Sequence, residues 1–373
     1  MEWCFWMAFG FVAYTYAGYP VLILLLSRLR REERGEPESI SDWPRVCIVI
    51  AVYNEQDRVE SKIRNLRELN YPSDRLRILF VSDGSTDETN RRLAAHSDVD
   101  FVSYPDRRGK ASALNVAREH IREPVVVFTD VRQTLQPDAI RYLVATLLQP
   151  GIGVVSGELI HHAPNTQVAA NIGMYWRYEK SIRRAESRFF STAGATGALY
   201  AIRAENFVTL PADAILDDFE MPVAALRKGL RTVFETRAVI YDELQADTTG
   251  EKRRKLRTLA GNFQSFARNG WLFVPWANAI WWQFLSHKVF RLLVPYALLV
   301  MLITSFALGG AYRMLGWAQL AGYALGVAGT RRASLRQNRF IGLIVVFMEL
   351  NLAATLALKL FLGGRLSARW EKT

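Results

Sequence analysis

Cysteine and histidine are scarce in this chain, and acidic residues fall short of basic ones. There are two cysteines and five histidines, and 36 acids stand against 47 lysines and arginines, for a formal net charge of +11. Cys4 and Cys47 lie in separate apolar runs. They are too few for a disulfide framework and lack the paired spacing of a zinc site. The histidines form no ligand cluster; His161 and His162 are adjacent, so on a strand they would point to opposite faces, and we read them as surface loop. Nothing in the basic excess has zinc-finger spacing or a basic-aromatic RNA-binding pattern, which argues against nucleic acid as a partner. Some long stretches lack charge almost entirely: residues 3–26, much of 289–312, and 340–358.

The missing charge reappears at the edges of those stretches. Arg28, Arg30 and Arg31 follow the first, and Arg331, Arg332, Arg336 and Arg339 precede the last. That placement suits orientation by positive-inside loops and contact with anionic lipid headgroups. The first run exceeds the roughly 20 apolar residues a spanning helix needs. It has no charged leader typical of a cleaved signal, so residues 1–28 are expected to form a permanent transmembrane anchor, with the segment after "RLRR" cytoplasmic. Residues 251–286 are expected to form amphipathic and interfacial helices, because Trp271, Trp276, Trp281 and Trp282 crowd around Pro275 as in an aromatic membrane belt. Residues 287–364 then hold membrane helices: Arg291–Leu308, Phe340–Leu362, and a weaker, Gly-rich Leu315–Gly329 that small-residue packing would favour. Four crossings would put both termini outside, against the basic tail 365–373. One of the segments is therefore expected to be re-entrant.

Between the apolar ends, residues 41–250 carry ordinary soluble-protein charge and alternate strand and helix patterns. "VCIVIAVY", "LRILFVSDG", "DFVSYP" and "PVVVFTD" are apolar runs of strand length. Helical spacing appears at Ile63, Leu66 and Leu69, and again in a helix opening at Gly109. Such alternation implies a mostly parallel sheet with helices on both faces, whose ligands bind beyond the carboxyl ends of the strands. Three of those ends carry polar groups: Tyr53, Asn54 and Glu55; Asp83; Asp130. One acid after a strand is commonly a turn former, and Asp87 in "DGSTDET" is read as a helix cap. Acids on consecutive strand ends of one sheet point instead to a cleft.

The order Tyr53-Asn54-Glu55, Asp83-Gly84-Ser85, "RGKASALN", "FTD", "GALYAIR", "DDFEM" and "RRKLR" resembles the membrane-bound family 2 glycosyltransferases, in the branch of cellulose, hyaluronan and poly-N-acetylglucosamine synthases. The resemblance covers roughly residues 45–260. It implies an α/β GT-A domain, Rossmann-like, between an N-terminal transmembrane helix and C-terminal interfacial and transmembrane helices. It further implies a hexosyltransferase-like, inverting enzyme of the plasma (bacterial inner) membrane. By this likeness the donor is expected to be a nucleoside-diphosphate sugar, UDP-linked, and the acceptor a growing polysaccharide or other glycan.

On that likeness Tyr53 and Glu55 contact the nucleoside, Asp83 accepts from the base, and Lys110 lies near the diphosphate. Asp130 takes the metal position, for Mg²⁺ or Mn²⁺, which often need only one or two carboxylates beside phosphate and water. The family usually reads Asp-x-Asp there; here Arg132 stands in place of the second acid, and a guanidinium is no ligand. It would point outward or pair with a phosphate or sugar oxygen. Asp218 takes the place of the general base and Arg257 keeps the arginine of Gln-x-x-Arg-Trp, while Arg254 and Thr258 replace its ends. Loss of that tryptophan weighs against cellulose-like processivity. Gly194, Thr196 and Gly197 would lie by the acceptor. Two alternatives stand beside this reading: single-sugar transfer to a polyprenyl phosphate or glycolipid, and a catalytically silent nucleotide-sugar-binding subunit.

Overall fold

A computed structural model describes residues 1–31, 34–162, 167–243 and 248–364; the basic tail 365–373 lies outside the described residues. The centre is an eight-stranded mixed sheet in the order β3-β2-β1-β4-β7-β6-β8-β5. Its strands are β1 (Val46–Val52), β2 (Leu76–Asp83), β3 (Asp100–Tyr104), β4 (Val125–Thr129), β5 (Thr134–Leu135), β6 (Ile152–His162), β7 (Leu199–Arg203) and β8 (Arg231–Glu243). The first four are parallel, as the alternation predicts. β7 reverses direction against both β4 and β6, and β6 pairs in parallel with β8. His161 and His162 belong to that long β6–β8 pairing, not to a surface loop: main-chain pairing with Asp242 and Glu243 carries the strand past its last apolar residue.

The apolar runs are continuous because both sheet faces are covered. Val46, Ile48, Ile50 and Val52 pack with the helices α2 (Val59–Arg67) and α5 (Ala139–Leu147) on one face. Cys47 and Val49 pack on the other with α4 (Lys110–His120) and α7 (Asp217–Arg227). α1 (Glu2–Ser27) and α3 (Thr89–Ala94) precede α4 in the chain. The helices α6 (Gln167–Phe189) and α8 (Thr248–Arg268) join this unit to the apolar segments. Tyr19 and Ile23 of α1 pack on Ile182 and Ala185 of α6.

Among the described residues, three helices are long and apolar enough to cross a membrane: α1, α9 (Trp281–Leu308) and α11 (Arg339–Leu362). Between the last two lies α10 (Gly310–Arg331), the Gly-rich segment. It forms a helix but does not reach the apolarity of the other three. Its glycines let it nest: a Cβ on Gly329 would stand 2.6 Å from Val345, and one on Gly326 would stand 2.7 Å from Met348. The aromatic stretch 271–285 is not one interfacial helix. Gly270–Phe273 makes a single tight turn, and the helix that starts at Trp281 runs on as the spanning helix α9. Pro275, which lacks a backbone N–H, sits in the intervening turns.

Candidate active site

The site grows from the end of β4. All five residues of the strand are buried, and the chain then releases Asp130, whose side chain is 42% exposed. Lys110 opens α4. Its ammonium lies 3.2 Å from Asp130 Oδ1 and 3.2 Å from Asp217 Oδ1. Asp217 in turn accepts from the Tyr200 hydroxyl at 2.9 Å. Tyr200 is carried there by β7, whose register sets it opposite Phe128, with ring centroids 4.6 Å apart. Burial opposes the charge on Lys110, but Asp130, Asp217 and Asp218 outweigh it and raise its basicity.

Asp218 is the next residue of α7. Its carboxyl is pushed up to about 6, first by burial and then by the charge of Asp217; Lys110, Arg183 and Lys288 pull the other way. Its backbone carbonyl accepts from Ala195 N at 2.8 Å, fastening it to the "GATGALY" loop. A Cβ on Gly197 would meet Asp218 Oδ2 at 2.8 Å, so that loop can lie against the carboxylate only with glycine there. Arg257 on α8 feels Asp217, Asp218 and Asp130. Asp130, Lys110, Asp217, Asp218 and Arg257 therefore form one electrostatic cluster. Asp217 and Tyr200 are the parts that reading the residues in line had not singled out. Their signal lay in the motifs already quoted, each one place from a singled-out position or inside "GALYAIR".

The other named residues sit along the adjoining strand ends. Asp83 has no exposed surface and accepts three bonds, from the Tyr104 hydroxyl at 2.8 Å, Arg108 N at 2.7 Å and Gly109 N at 2.9 Å. In this conformation Asp83 holds the loop that delivers Arg107 and Lys110. Gly84, at φ 66°, lets that loop approach: a Cβ there would stand 2.6 Å from Arg107 N. Arg107 covers the Tyr53 ring, 3.9 Å from its centroid, and among the described residues its buried Nε and Nη2 have no acceptor. Glu55 pairs with Arg58 at 2.8 Å and is only 9% exposed, so it belongs to the start of α2 and not to an open face. Asn54 and Asp87 stitch β1 to β2: Thr86 N donates to Asn54 Oδ1 at 2.8 Å, and Gln56 N donates to Asp87 Oδ2 at 3.2 Å.

Arg132 points neither outward nor toward a ligand. It donates to Asp242 on β8, which Gln133 Nε2 also reaches at 3.2 Å, and Asp242 is 4% exposed. Beneath the same turn lies Lys62, 2% exposed. Its ammonium donates to the Gln133 carbonyl at 2.8 Å and Thr129 Oγ1 at 3.3 Å, the two ends of the turn that carries Asp130. Burial lowers its pKa to about 7. Arg132→Met is therefore expected to destabilise the protein by about 3–5 kcal/mol, the cost of stranding a buried carboxylate, where an outward arginine would cost under about 0.5 kcal/mol. Urea melts of the detergent-solubilised protein separate the two.

A mixed sheet of this order, with charged groups gathered at its carboxyl edge, defines a GT-A domain, the architecture of sugar-nucleotide-dependent transferases. The fold of a mannosyltransferase from Pyrobaculum calidifontis, solved with GDP-Man and Mn²⁺, superposes with a TM-score of 0.73 and covers 97% of this chain and 99% of that one, at 23% identity. Residues 47–208 match the family model described as glycosyl transferase family 2. An N-acetylglucosaminyltransferase of Mesorhizobium japonicum is 25% identical over 250 residues, covering 62% of this chain and 58% of its own length. A poly-beta-1,6-N-acetyl-D-glucosamine synthase of Staphylococcus aureus is 27% identical over 124 residues, 32% of this chain and 30% of the synthase. The chain thus spans little more than half the length of the fuller of these two curated relatives.

Proposed function

We propose that this protein is an inverting, membrane-anchored glycosyltransferase. It moves a sugar from a nucleoside-diphosphate donor, UDP-linked in our reading, to a glycan or lipid-linked acceptor at the membrane. The observation that carries this is the cluster in which Lys110 bridges Asp130 and Asp217 beside the half-buried Asp218. Such a group of acids and one lysine, at the end of β4 and the starts of α4 and α7, suits a diphosphate leaving group on one side and a proton acceptor on the other.

In this reading the acceptor hydroxyl attacks the anomeric carbon as Asp218 takes its proton. The bond from that carbon to the diphosphate oxygen breaks, and the electron pair leaves with the nucleoside diphosphate. One displacement inverts the centre without a covalent intermediate. Lys110, Arg107 and Arg257 are placed to balance the charge that builds on the diphosphate. Tyr53 borders the nucleoside. A Mg²⁺ or Mn²⁺ ion fits the donor set in a restricted way: among the described residues no three ligating side chains converge, yet Asp130 keeps an exposed carboxylate. Asp130 with the donor's own phosphates would hold the ion, which adds positive charge at the leaving group. The catalytic domain is cytoplasmic in this reading, in the plasma membrane of a bacterium, because "RLRR" follows α1.

Membranes given a panel of radiolabelled nucleotide sugars, with and without Mn²⁺, test the proposal. Release of the nucleoside diphosphate with label passing to a larger or chloroform-soluble product is expected for one donor, and faster with the metal. Donor binding with no release from any of them would leave a silent binding subunit instead. A fixed-size, chloroform-soluble product would favour the lipid acceptor over a polysaccharide, a reading supported by Thr258 at the usual tryptophan and by the cations described next.

A further inference from the structure

Lys288 stands in the first turns of α9, where Phe284–Val289 widens into a π-helical turn. Among the described residues its ammonium makes no hydrogen bond or ion pair. The carboxylates near it are already engaged. His287 lies between Glu186 at 2.8 Å and Glu179 at 3.0 Å. Tyr19 also donates to Glu186, and Arg291 also pairs with Glu179. Arg183 of α6 reaches Glu179 only at 3.5 Å. Lys288 is half-buried, so an ammonium with no direct partner there is open to an anion.

Lys288 and Arg183 are charged neighbours of the base. Lys110 has Asp130, Asp217 and Asp218 as charged neighbours. Lys288 has Arg183, Glu179, Glu186 and Arg291. Asp218 feels Lys110 as well as Arg183 and Lys288. Packing agrees: Leu216 and Phe219, flanking Asp218, share one apolar cluster with Leu285 and Val289, flanking Lys288. A neutral glycan would need no cations there. A phosphate would, and Lys and Arg pair with phosphate strongly.

We propose that Lys288 and Arg183 hold a phosphate group of a lipid-anchored acceptor, next to the hydroxyl that Asp218 deprotonates. This rests on the transfer reaction proposed above and names its acceptor by charge. In the proposed reaction the donor diphosphate is assigned to a different set of cations, Arg107, Lys110 and Arg257.

The test uses the full chain in neutral detergent, with dodecyl phosphate as probe and dodecyl glucoside and inorganic phosphate as controls, read by calorimetry. Dodecyl phosphate is expected to bind about 10-fold or more tighter than either control. Lys288→Met and Arg183→Met should each weaken it by about 10-fold, while Lys288→Arg stays within about threefold. The same probe should suppress transfer of label to endogenous lipid in membranes. Equal binding of the glucoside, or an unchanged affinity in Lys288→Met, overturns the site. Inorganic phosphate binding as well as the lipid makes it a soluble-anion site and overturns the acceptor role. So does phosphatidic acid in nanodiscs that displaces the probe while leaving transfer untouched. If no donor is ever cleaved but the Lys288-dependent binding persists, the transfer reading fails and the phosphate site stands.

Discussion

Asp218→Asn is expected to lower turnover by about 10²–10⁴-fold, the usual contribution of a positioned general base, while donor binding persists. The pH behaviour separates this from a folding defect. With the carboxyl pushed up to about 6, the wild-type rate should rise with pH through that value, as the base loses its proton, and level off above it. Stability runs the other way. The folded state disfavours the charged form relative to an ordinary aspartate at 3.8, so an ionised Asp218 subtracts stability. The penalty is absent below the unfolded pKa, grows between the two values, and is complete above about 6. A shift of about two units corresponds to roughly 3 kcal/mol at most. Asp218→Asn should therefore melt higher than wild type at pH 7.5 and no higher at pH 3.5. A variant that is inactive and also less stable at pH 7.5 would remove the base assignment.

Lys110→Met should have the second large effect, and on both properties. Its ammonium is the cation between Asp130 and Asp217. Without it three acids face one another across a space of low dielectric. Removing one partner of such a pair costs about 3–5 kcal/mol, and Asp130 is exposed enough that the lower figure is expected. The loss of Lys110 also frees Asp218 from one of the charges that restrain its pKa, so the residual rate should follow a profile displaced to higher pH. A profile that stays in place while activity falls would show that Lys110 acts on the diphosphate alone. Lys110→Arg keeps the charge and should recover most of the stability, though the broader guanidinium fits the 3.2 Å contacts less well.

Much of this site was legible in line. Acids that end apolar runs mark the carboxyl edge of a parallel sheet, and Asp83, Asp130 and their neighbours fall there because β1, β2 and β4 are in register. Lys110 could be singled out because a lysine at the start of a helix meets the wrong end of the dipole. The structure places it between two carboxylates that offset the mismatch. What escaped is long-range. Arg132 finds Asp242 across 110 positions, and no local pattern announces a partner that distant. The full use of Asp83 by a loop 25 residues on is hidden for the same reason. β7 runs antiparallel, a choice made by the sheet and not by its own five residues. The aromatic stretch before α9 misleads because tryptophans serve equally at a membrane surface and in the packed joint where Trp282 donates to Tyr14 at 2.8 Å.

That joint has a mechanical meaning. The helix bearing Asp218 is seated on the first turns of α9 through Phe219, Phe284 and their neighbours, and α9 is long and apolar enough to be fixed by a bilayer. In the proposed reaction Asp218 would thereby be held at a set height above the hydrocarbon. Such an enzyme would work as a ruler: only hydroxyls presented at that height would react, and a thinner or thicker lipid host should alter the rate without touching any residue of the site.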